Sequence, residues 1–211
     1  MFALHKATIE MNVDMVRTLL EAHAEVNLPD GNGQTPLHIL CKKLNWRFDI
    51  APEVCETLLK YGAWVNKPSP VKITPIPNLP ECDTAIVLTI YIFSAGGDIP
   101  FVFNSIRMPQ LLGYFKVVSM DMQQVSLDIL YESGTVLPTL NATGNNSKLV
   151  SCLTLRKTNP RCLLRLAADV LRKTMKPNAW VGLTRLSIPP GFDREYIIFN
   201  ARSIVSTWFK G

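Results

Sequence analysis

Cysteine is scarce in this chain of 211 residues, and a long apolar run is absent. The five cysteines have no regular spacing and form no C-x-x-C pair, which argues against a disulfide framework and a zinc site. Reduced thiols, as in the cytoplasm or the nucleus, fit this pattern best. The most apolar stretch, residues 84–97, is shorter than the roughly 20 residues that a membrane-spanning helix needs. We therefore expect no bound metal and no membrane association. The first residues also lack the layout of a signal peptide.

Motifs for catalysis are also missing from the sequence. It has no Gly-rich phosphate-binding loop, no nucleophile motif, no recognisable pair of carboxylates and no cluster of metal ligands. Hydrophobic residues make up 47% of the chain and charged residues only 18%, which argues against a disordered chain. The length allows a substantial core in one or two domains. The sequence thus predicts a folded, non-catalytic protein without a cofactor.

The charge of the chain is divided unevenly along its length. Residues 148–211 contain 12 Lys and Arg against 3 Asp and Glu, whereas residues 1–147 contain 10 against 14. A basic segment can indicate nucleic-acid binding. Here the basic residues fall mostly on the polar face of amphipathic helices, with no aromatic stacking platform between them. A solvated face, or a face turned to an acidic protein partner, is the favoured interpretation, and nucleic acid is not an expected partner.

An internal repeat is visible in the first third of the chain. Residues 4–7 recur at 37–40, a spacing of 33, and residues 24–27 recur at 63–66, a spacing of 39. The two spacings differ by six, which predicts an insertion of about six residues between the two helices of the second copy, at residues 45–52. A period of this length is typical of solenoid proteins. The first copy begins abruptly, which predicts either a truncated form or an exposed end, since solenoids need a capping repeat.

The second copy opens with Thr35-Pro36-Leu37-His38, which resembles the T-P-L-H signature of ankyrin repeats. Thr35 can cap the first helix, and Pro36 suits its first position. The resemblance implies that His38 donates a hydrogen bond to a neighbouring hairpin. The alternative, a catalytic or metal-binding His38 with Cys41, would need further ligands that are not nearby in sequence.

The repeat pattern continues in weaker form beyond the second copy. Gly62 ends the second helix where a positive φ is needed, and His23 stands at that position in the first copy. Residues 67–99 are rich in proline, yet their spacing predicts a third, degenerate repeat with its second helix at residues 84–95. A fourth, weaker unit is predicted at residues 104–137.

These observations give a predicted domain organisation. We expect ankyrin repeats 1 and 2 in residues 1–66, degenerate repeats in 67–140, a linker in 141–158, a carboxyl-terminal module in 159–199 and a tail in 200–211.

The carboxyl-terminal module begins with an amphipathic helix. Asn159 and Pro160 provide a helix start, and one apolar stripe follows: Leu163, Leu166, Ala167, Val170 and Leu171. Basic residues, among them Arg172 and Lys173, occupy much of the remaining surface. On periodicity alone, this is a closing helix that packs on its own domain.

The residues downstream suggest a different interpretation. The helix opens P-R-x-L-L-x-L, and after a spacer come L-x-I-P at residues 186–189 and a final Tyr with apolar neighbours at 196–199. This arrangement resembles a SOCS box, and with the repeats before it the chain resembles the ankyrin-repeat-and-SOCS-box family. The resemblance implies an all-α fold, in which an ankyrin solenoid of two clear and one or two degenerate repeats precedes a three-helix SOCS box.

The family resemblance also implies a function and partners. Its members are substrate-recognition subunits of ubiquitin ligases, in which elongin C with elongin B and cullin-5 with a RING subunit are the partners. The elongin C-binding positions would be those of the apolar stripe, with Leu163, Ala167 and Leu171 matching the family pattern and Ala167 replacing its usual Cys. Leu166 and Val170 could face either elongin C or the ankyrin stack. The cullin-binding positions would be Leu186, Ser187, Ile188 and Pro189, where Ser187 departs from the family's L-P-x-P.

The substrate would bind the ankyrin surface. Exposed Trp and Arg are typical interface anchors, and the sequence offers Trp46, Arg47 and Phe48 in the insertion and Trp64 at a hairpin. Alternatively, Trp46 and Phe48 fold back onto the neighbouring helices. An ankyrin scaffold whose carboxyl-terminal helices only cap the stack is the competing hypothesis for the whole protein.

Overall fold

The computed structural model of the protein describes residues 2–43, 49–67, 83–97 and 163–186. Regular secondary structure in these four ranges is helical, in agreement with the predicted all-α class. The seven helices are α1 Ala3–Ile9, α2 Val13–Glu21, α3 Pro36–Lys42, α4 Ala51–Lys60, α5 Asp83–Ser94, α6 Leu163–Thr174 and α7 Ala179–Thr184. The predicted fourth repeat, the linker at 141–158 and the tail at 200–211 lie outside the described residues.

The first four helices form two stacked helix pairs. Helix α1 contacts α2 and α3, and α4 contacts both α2 and α3, so each pair packs on the other as in a solenoid. The buried side chains at this junction are apolar and include Val16, Leu20, Leu37, Leu40 and Leu58. Helix α5 packs on α4 and extends the stack by one more element.

Helix ends in the second repeat follow the sequence signals closely. Thr35 is the N-cap of α3, and Pro36 occupies its first turn. The backbone N–H of Thr35 donates to Nδ1 of His38 at 3.3 Å, and the Thr35 hydroxyl lies 2.7 Å from the same nitrogen. Gly62 follows α4 with φ of +89°, and His23 follows α2 with φ of +64°, as the sequence predicts. Both residues therefore provide the left-handed turn that ends a helix.

The turn between the first two repeats is held by one carboxylate. Asp30 Oδ1 accepts from the backbone N–H groups of Asn32 and Gln34, each at 2.8 Å. Burial acts to raise the pKa of Asp30, but the backbone hydrogen bonds from Gln34 and Asn32 outweigh it and lower the pKa below its usual value. The turn is therefore favoured at neutral pH and weakened as the pH falls through the lowered pKa.

Two hairpin asparagines link successive repeats. Asn27 donates through Nδ2 to the carbonyl of Gly62 at 3.0 Å, and Asn66 donates to the carbonyl of Gly96 at 2.9 Å. Gly96 follows α5 with φ of +94°, as Gly62 follows α4. The helix that the sequence predicts at residues 84–95 is thus present as α5, and its end is held in the same way as that of α4.

The first repeat lacks a cap that the second repeat has. His5 donates through Nε2 to the Gln34 carbonyl at 3.1 Å, whereas its buried Nδ1 has no hydrogen-bond partner. In the second repeat the N-cap Thr35 contacts the equivalent nitrogen of His38. Phe2 stands in the place of Thr35, makes no side-chain cap and is 48% exposed.

We expect the substitution Phe2→Thr to stabilise the protein by about 1 kcal/mol, the usual contribution of an N-cap hydroxyl. The new hydroxyl would cap α1 and give Nδ1 of His5 a partner, as Thr35 does for His38. Urea unfolding of Phe2→Thr against Phe2→Ala measures the effect, because both variants remove the aromatic ring. Equal stability of the two variants would show that the missing cap costs nothing.

The cysteines of the stack are buried and chemically inert. Cys41 and Cys55 are both fully buried and neither forms a disulfide. Burial raises the pKa of each thiol well above its ordinary value, and in Cys55 the neighbouring Cys41 and Glu56 add to the effect. Because the thiolate is the reactive form, burial and the raised pKa disfavour nucleophilic chemistry at Cys41 and Cys55 at neutral pH.

Candidate functional site

Helix α6 has one buried face and one exposed face. Ala168 and Arg172, one turn apart, are each only 4% exposed. On the other side Ala167 is exposed, Val170 is 60% exposed and Leu171 is 37% exposed. Three residues of the predicted apolar stripe therefore lie at the surface. Leu163 and Leu166 belong to α6, but their side chains lie outside the description.

The buried face of α6 is fixed by contact with the end of α5. The Arg172 guanidinium carbon lies 4.7 Å from the centre of the Phe93 ring, which is a cation–π contact. The Arg172 carbonyl approaches Gly96 so closely that a Cβ at this position would clash with the oxygen. Arg172 was expected on a solvated polar face, and that expectation is wrong because the aromatic ring and the glycine accommodate it.

Asn178 joins the carboxyl-terminal helices to the second repeat. Its side chain is buried, and Nδ2 donates to the carbonyls of Leu59 at 2.9 Å and Ala63 at 3.0 Å. Its Oδ1 accepts from the backbone N–H of Val181 at 3.1 Å and so caps α7. An Asn before an apolar segment is a sequence signal for an N-cap. No local sequence pattern predicts that the same Asn donates to two carbonyls more than 110 residues away.

Further contacts place α7 against the end of α5. The Ala179 backbone N–H donates to the Ala95 carbonyl at 2.9 Å, and Trp180 donates through Nε1 to the Ser94 hydroxyl at 3.0 Å. The Trp180 ring also lies 6.0 Å from that of Tyr91, centre to centre. The carboxyl-terminal helices are thus docked on the repeat stack through α7 and the last turn of α6, while Val170 and Leu171 of α6 are exposed.

Trp64 lies at the edge of a cleft between the stack and α6. It is 38% exposed, and Lys67 places its ammonium 4.0 Å from the centre of the indole ring. The cleft has a volume of about 370 Å³. Three segments line the cleft: residues 64–67 on one wall, Ala95 and Gly96, and on the other wall residues 172–173 and 175–177. Trp46, Arg47 and Phe48, predicted to share a substrate surface with Trp64, lie outside the described residues.

The predicted cullin-binding segment begins just after α7. Leu186 is 48% exposed at the end of the last described range, and Ser187, Ile188 and Pro189 lie outside it. The position of Leu186 leaves its side chain available to a partner.

The described residues contain neither a group of metal ligands nor a helix long and apolar enough to span a membrane. Within residues 2–43, 49–67, 83–97 and 163–186, no group of three His, Cys, Asp or Glu could hold a metal ion. The helices in these ranges are all too short or too polar to cross a bilayer. His38 Nδ1 is engaged with Thr35, which fits a structural role for this histidine.

Comparison with known proteins identifies the amino-terminal part of the chain. A family model described as ankyrin repeats (many copies) matches residues 4–59. This range includes α1 to α4, so the stacked helix pairs are ankyrin repeats, which are interaction modules and generally non-catalytic. A search of curated proteins found no match to the chain.

Proposed function

We propose that this protein is a substrate-recognition adaptor of a ubiquitin ligase built on elongin B, elongin C and cullin-5. The ankyrin surface would bind the target, and the carboxyl-terminal module would recruit the ligase. The observation that carries the proposal is the exposed apolar face of α6, with Val170 60% and Leu171 37% exposed on a helix whose other face is docked. Ala167, Val170 and Leu171 of that face belong to the apolar stripe of a SOCS-box-like sequence.

Recruitment would follow the helix-in-groove mode of recognition. An apolar groove on elongin C would accept the stripe of α6, and Leu163 would be its deepest anchor by analogy with the family. Fully burying a Val or Leu side chain contributes about 1.5–3 kcal/mol. Val170 and Leu171 can gain a large part of this free energy, because both are exposed before binding.

Docking of α6 and α7 on the repeats would serve the transfer reaction. A rigid module holds the substrate surface and the ligase in one relative orientation, which raises the local concentration of substrate lysines at the bound conjugating enzyme. The hydrogen bonds of Asn178 and the packing of Arg172 on Phe93 provide that rigidity. No chemistry is required of this chain itself, which acts as a non-catalytic subunit in the cytoplasm or the nucleus.

The cullin would be chosen by Leu186, Ser187, Ile188 and Pro189. Proline fixes φ near −65° and pre-organises such a segment. Ser187 stands where the family has a proline, so ordering the segment costs more on binding. We therefore propose cullin-5 with its RING subunit as the partner. This chain would bind cullin-5 more weakly than a family member whose segment has both prolines.

The competing proposal is a scaffold protein whose carboxyl-terminal helices only cap the stack. It is favoured by the burial of Ala168, Arg172, Asn178, Ala179 and Leu183, since such contacts are what a cap would make. It does not account for the exposure of Val170 and Leu171 on the opposite side of α6.

Co-expression of the full chain with elongin B and elongin C separates the two proposals. The adaptor hypothesis predicts one complex of all three proteins on size-exclusion chromatography. A folded chain that elutes apart from the elongins would reject the adaptor and leave the scaffold.

A further inference from the structure

The cleft beside Trp64 is positively charged on both walls. Lys67 stands on the wall formed by the hairpin, and Lys173 and Lys176 stand on the wall that follows α6. Arg172 lies deeper, against the Phe93 ring. The described residues that line the cleft include these four cations and no carboxylate. A concave surface with one sign of charge concentrates ligands of the opposite sign.

Helix-dipole compensation does not explain this arrangement. Basic residues are common in the last turn of a helix because they balance its negative end, and Arg172 and Lys173 occupy that turn of α6. Lys176 follows the helix, however, and Lys67 comes from a different repeat, more than 100 residues earlier in the chain. The fold therefore brings cations from two separate segments of the chain to one cleft.

The indole ring of Trp64 indicates a second property of the ligand, besides its negative charge. Trp64 keeps 38% of its surface exposed, and its backbone is fixed because its N–H donates to Asn27 Oδ1 at 2.8 Å. The ammonium of Lys67 lies over the indole ring, and the part of the ring that stays exposed favours an apolar or aromatic ligand group. The volume of about 370 Å³ lies at the lower end of ligand pockets, which span about 300–1,000 Å³, and suits a few side chains rather than a folded element.

We infer that the Trp64 cleft binds an acidic, extended segment of a partner protein, in which carboxylates flank an apolar or aromatic residue. The carboxylates pair with Lys67 and Lys176, one on each side of the cleft, and the central residue packs on Trp64. Nucleic acid is the weaker candidate, because single strands are bound by a series of stacking platforms and Trp64 is the one aromatic ring among the described residues that line the cleft. The inference depends on the proposed function in one respect, namely that the acidic segment would belong to the substrate of the ligase.

Fluorescence anisotropy with the full chain tests the cleft. The probe is a fluorescein-labelled peptide of twelve residues, in which Glu and Asp surround a central Leu-Phe pair. We expect saturable binding that weakens as the salt concentration rises, and no binding of a matched peptide with Gln and Asn in place of the acids. Absence of saturable binding to the acidic peptide would overturn the inference, and so would tighter binding of an oligouridine of equal length.

Two variants and a matched control locate the binding site. Lys67→Gln with Lys176→Gln, and separately Trp64→Ala, should each weaken the peptide on the order of tenfold, as expected for interface anchors. Lys42→Gln with Lys43→Gln removes the same charge from exposed positions at the end of α3 and should change little. An equal loss in the control would mean that only the overall charge matters, and the cleft would not be the site.

Failure of this inference is distinguishable from failure of the proposed function. The cleft variants leave Val170 and Leu171 intact, so they should still capture elongin B and elongin C. Elongin capture without peptide binding would reject the cleft alone. Peptide binding without elongin capture would reject the ligase adaptor and keep the cleft.

Discussion

The double substitution Val170→Asp with Leu171→Asp is expected to weaken elongin binding by a factor of about 100 or more. In the proposed complex both side chains enter an apolar groove, where an unpaired carboxylate costs several kcal/mol. In the free protein Val170 is 60% and Leu171 37% exposed, so the free energy of unfolding should fall by no more than about 2 kcal/mol, most of it from the partly covered Leu171. Biolayer interferometry with immobilised elongin B and C, together with urea unfolding, measures the two quantities.

Met15→Asp provides a matched control for this double variant. Met15 is 49% exposed and apolar, but it lies in the first turn of α2, far from α6 in the sequence. A carboxylate there is tolerated, because acidic residues are favoured near a helix N-terminus. If Val170→Asp with Leu171→Asp bound the elongins as tightly as Met15→Asp does, the exposed face of α6 would not be the binding surface.

Asn178→Ala is expected to destabilise the protein by about 2–4 kcal/mol. The substitution removes three hydrogen bonds of a buried side chain, and two of them end on the carbonyls of Leu59 and Ala63. A buried polar group that loses its partner costs about 1–3 kcal/mol, and loss of an N-cap costs about 1 kcal/mol more. Urea unfolding followed by circular dichroism measures the change.

Asn178→Ser separates the two contributions of this residue. A serine hydroxyl can still cap α7 but cannot reach both carbonyls, so we expect it to recover about 1 kcal/mol relative to Asn178→Ala. A variant Asn178→Ala as stable as the wild type would mean that α7 is not docked on the second repeat.

Local sequence signals account for the helices of the repeats. Thr35 and Pro36 mark the start of α3, and Gly62 and His23 mark the left-handed turns after α4 and α2. These positions could be predicted because the chemistry of a cap or a turn depends on neighbouring residues only. The spacing that placed the third repeat's second helix succeeded for the same reason.

The docking of the carboxyl-terminal helices could not be predicted in this way. Periodicity placed Arg172 on the polar face of α6, but the structure buries it against Phe93, about 80 positions earlier in the chain. Val170 could have faced either the stack or a partner, and its 60% exposure shows that it does not face the stack. The Trp64 cleft likewise combines three separate segments, so its charge is a property of the fold.

Hydrogen exchange measured by mass spectrometry, with and without elongin B and C, tests the central claim most directly. The claim is that α6 binds a partner through one face while α7 and the last turn of α6 stay docked on the repeats. We predict slower amide exchange over residues 163–174 in the presence of the elongins, and unchanged exchange over residues 178–184. Unchanged exchange over residues 163–174, at elongin concentrations that saturate a known SOCS-box protein, would contradict the account.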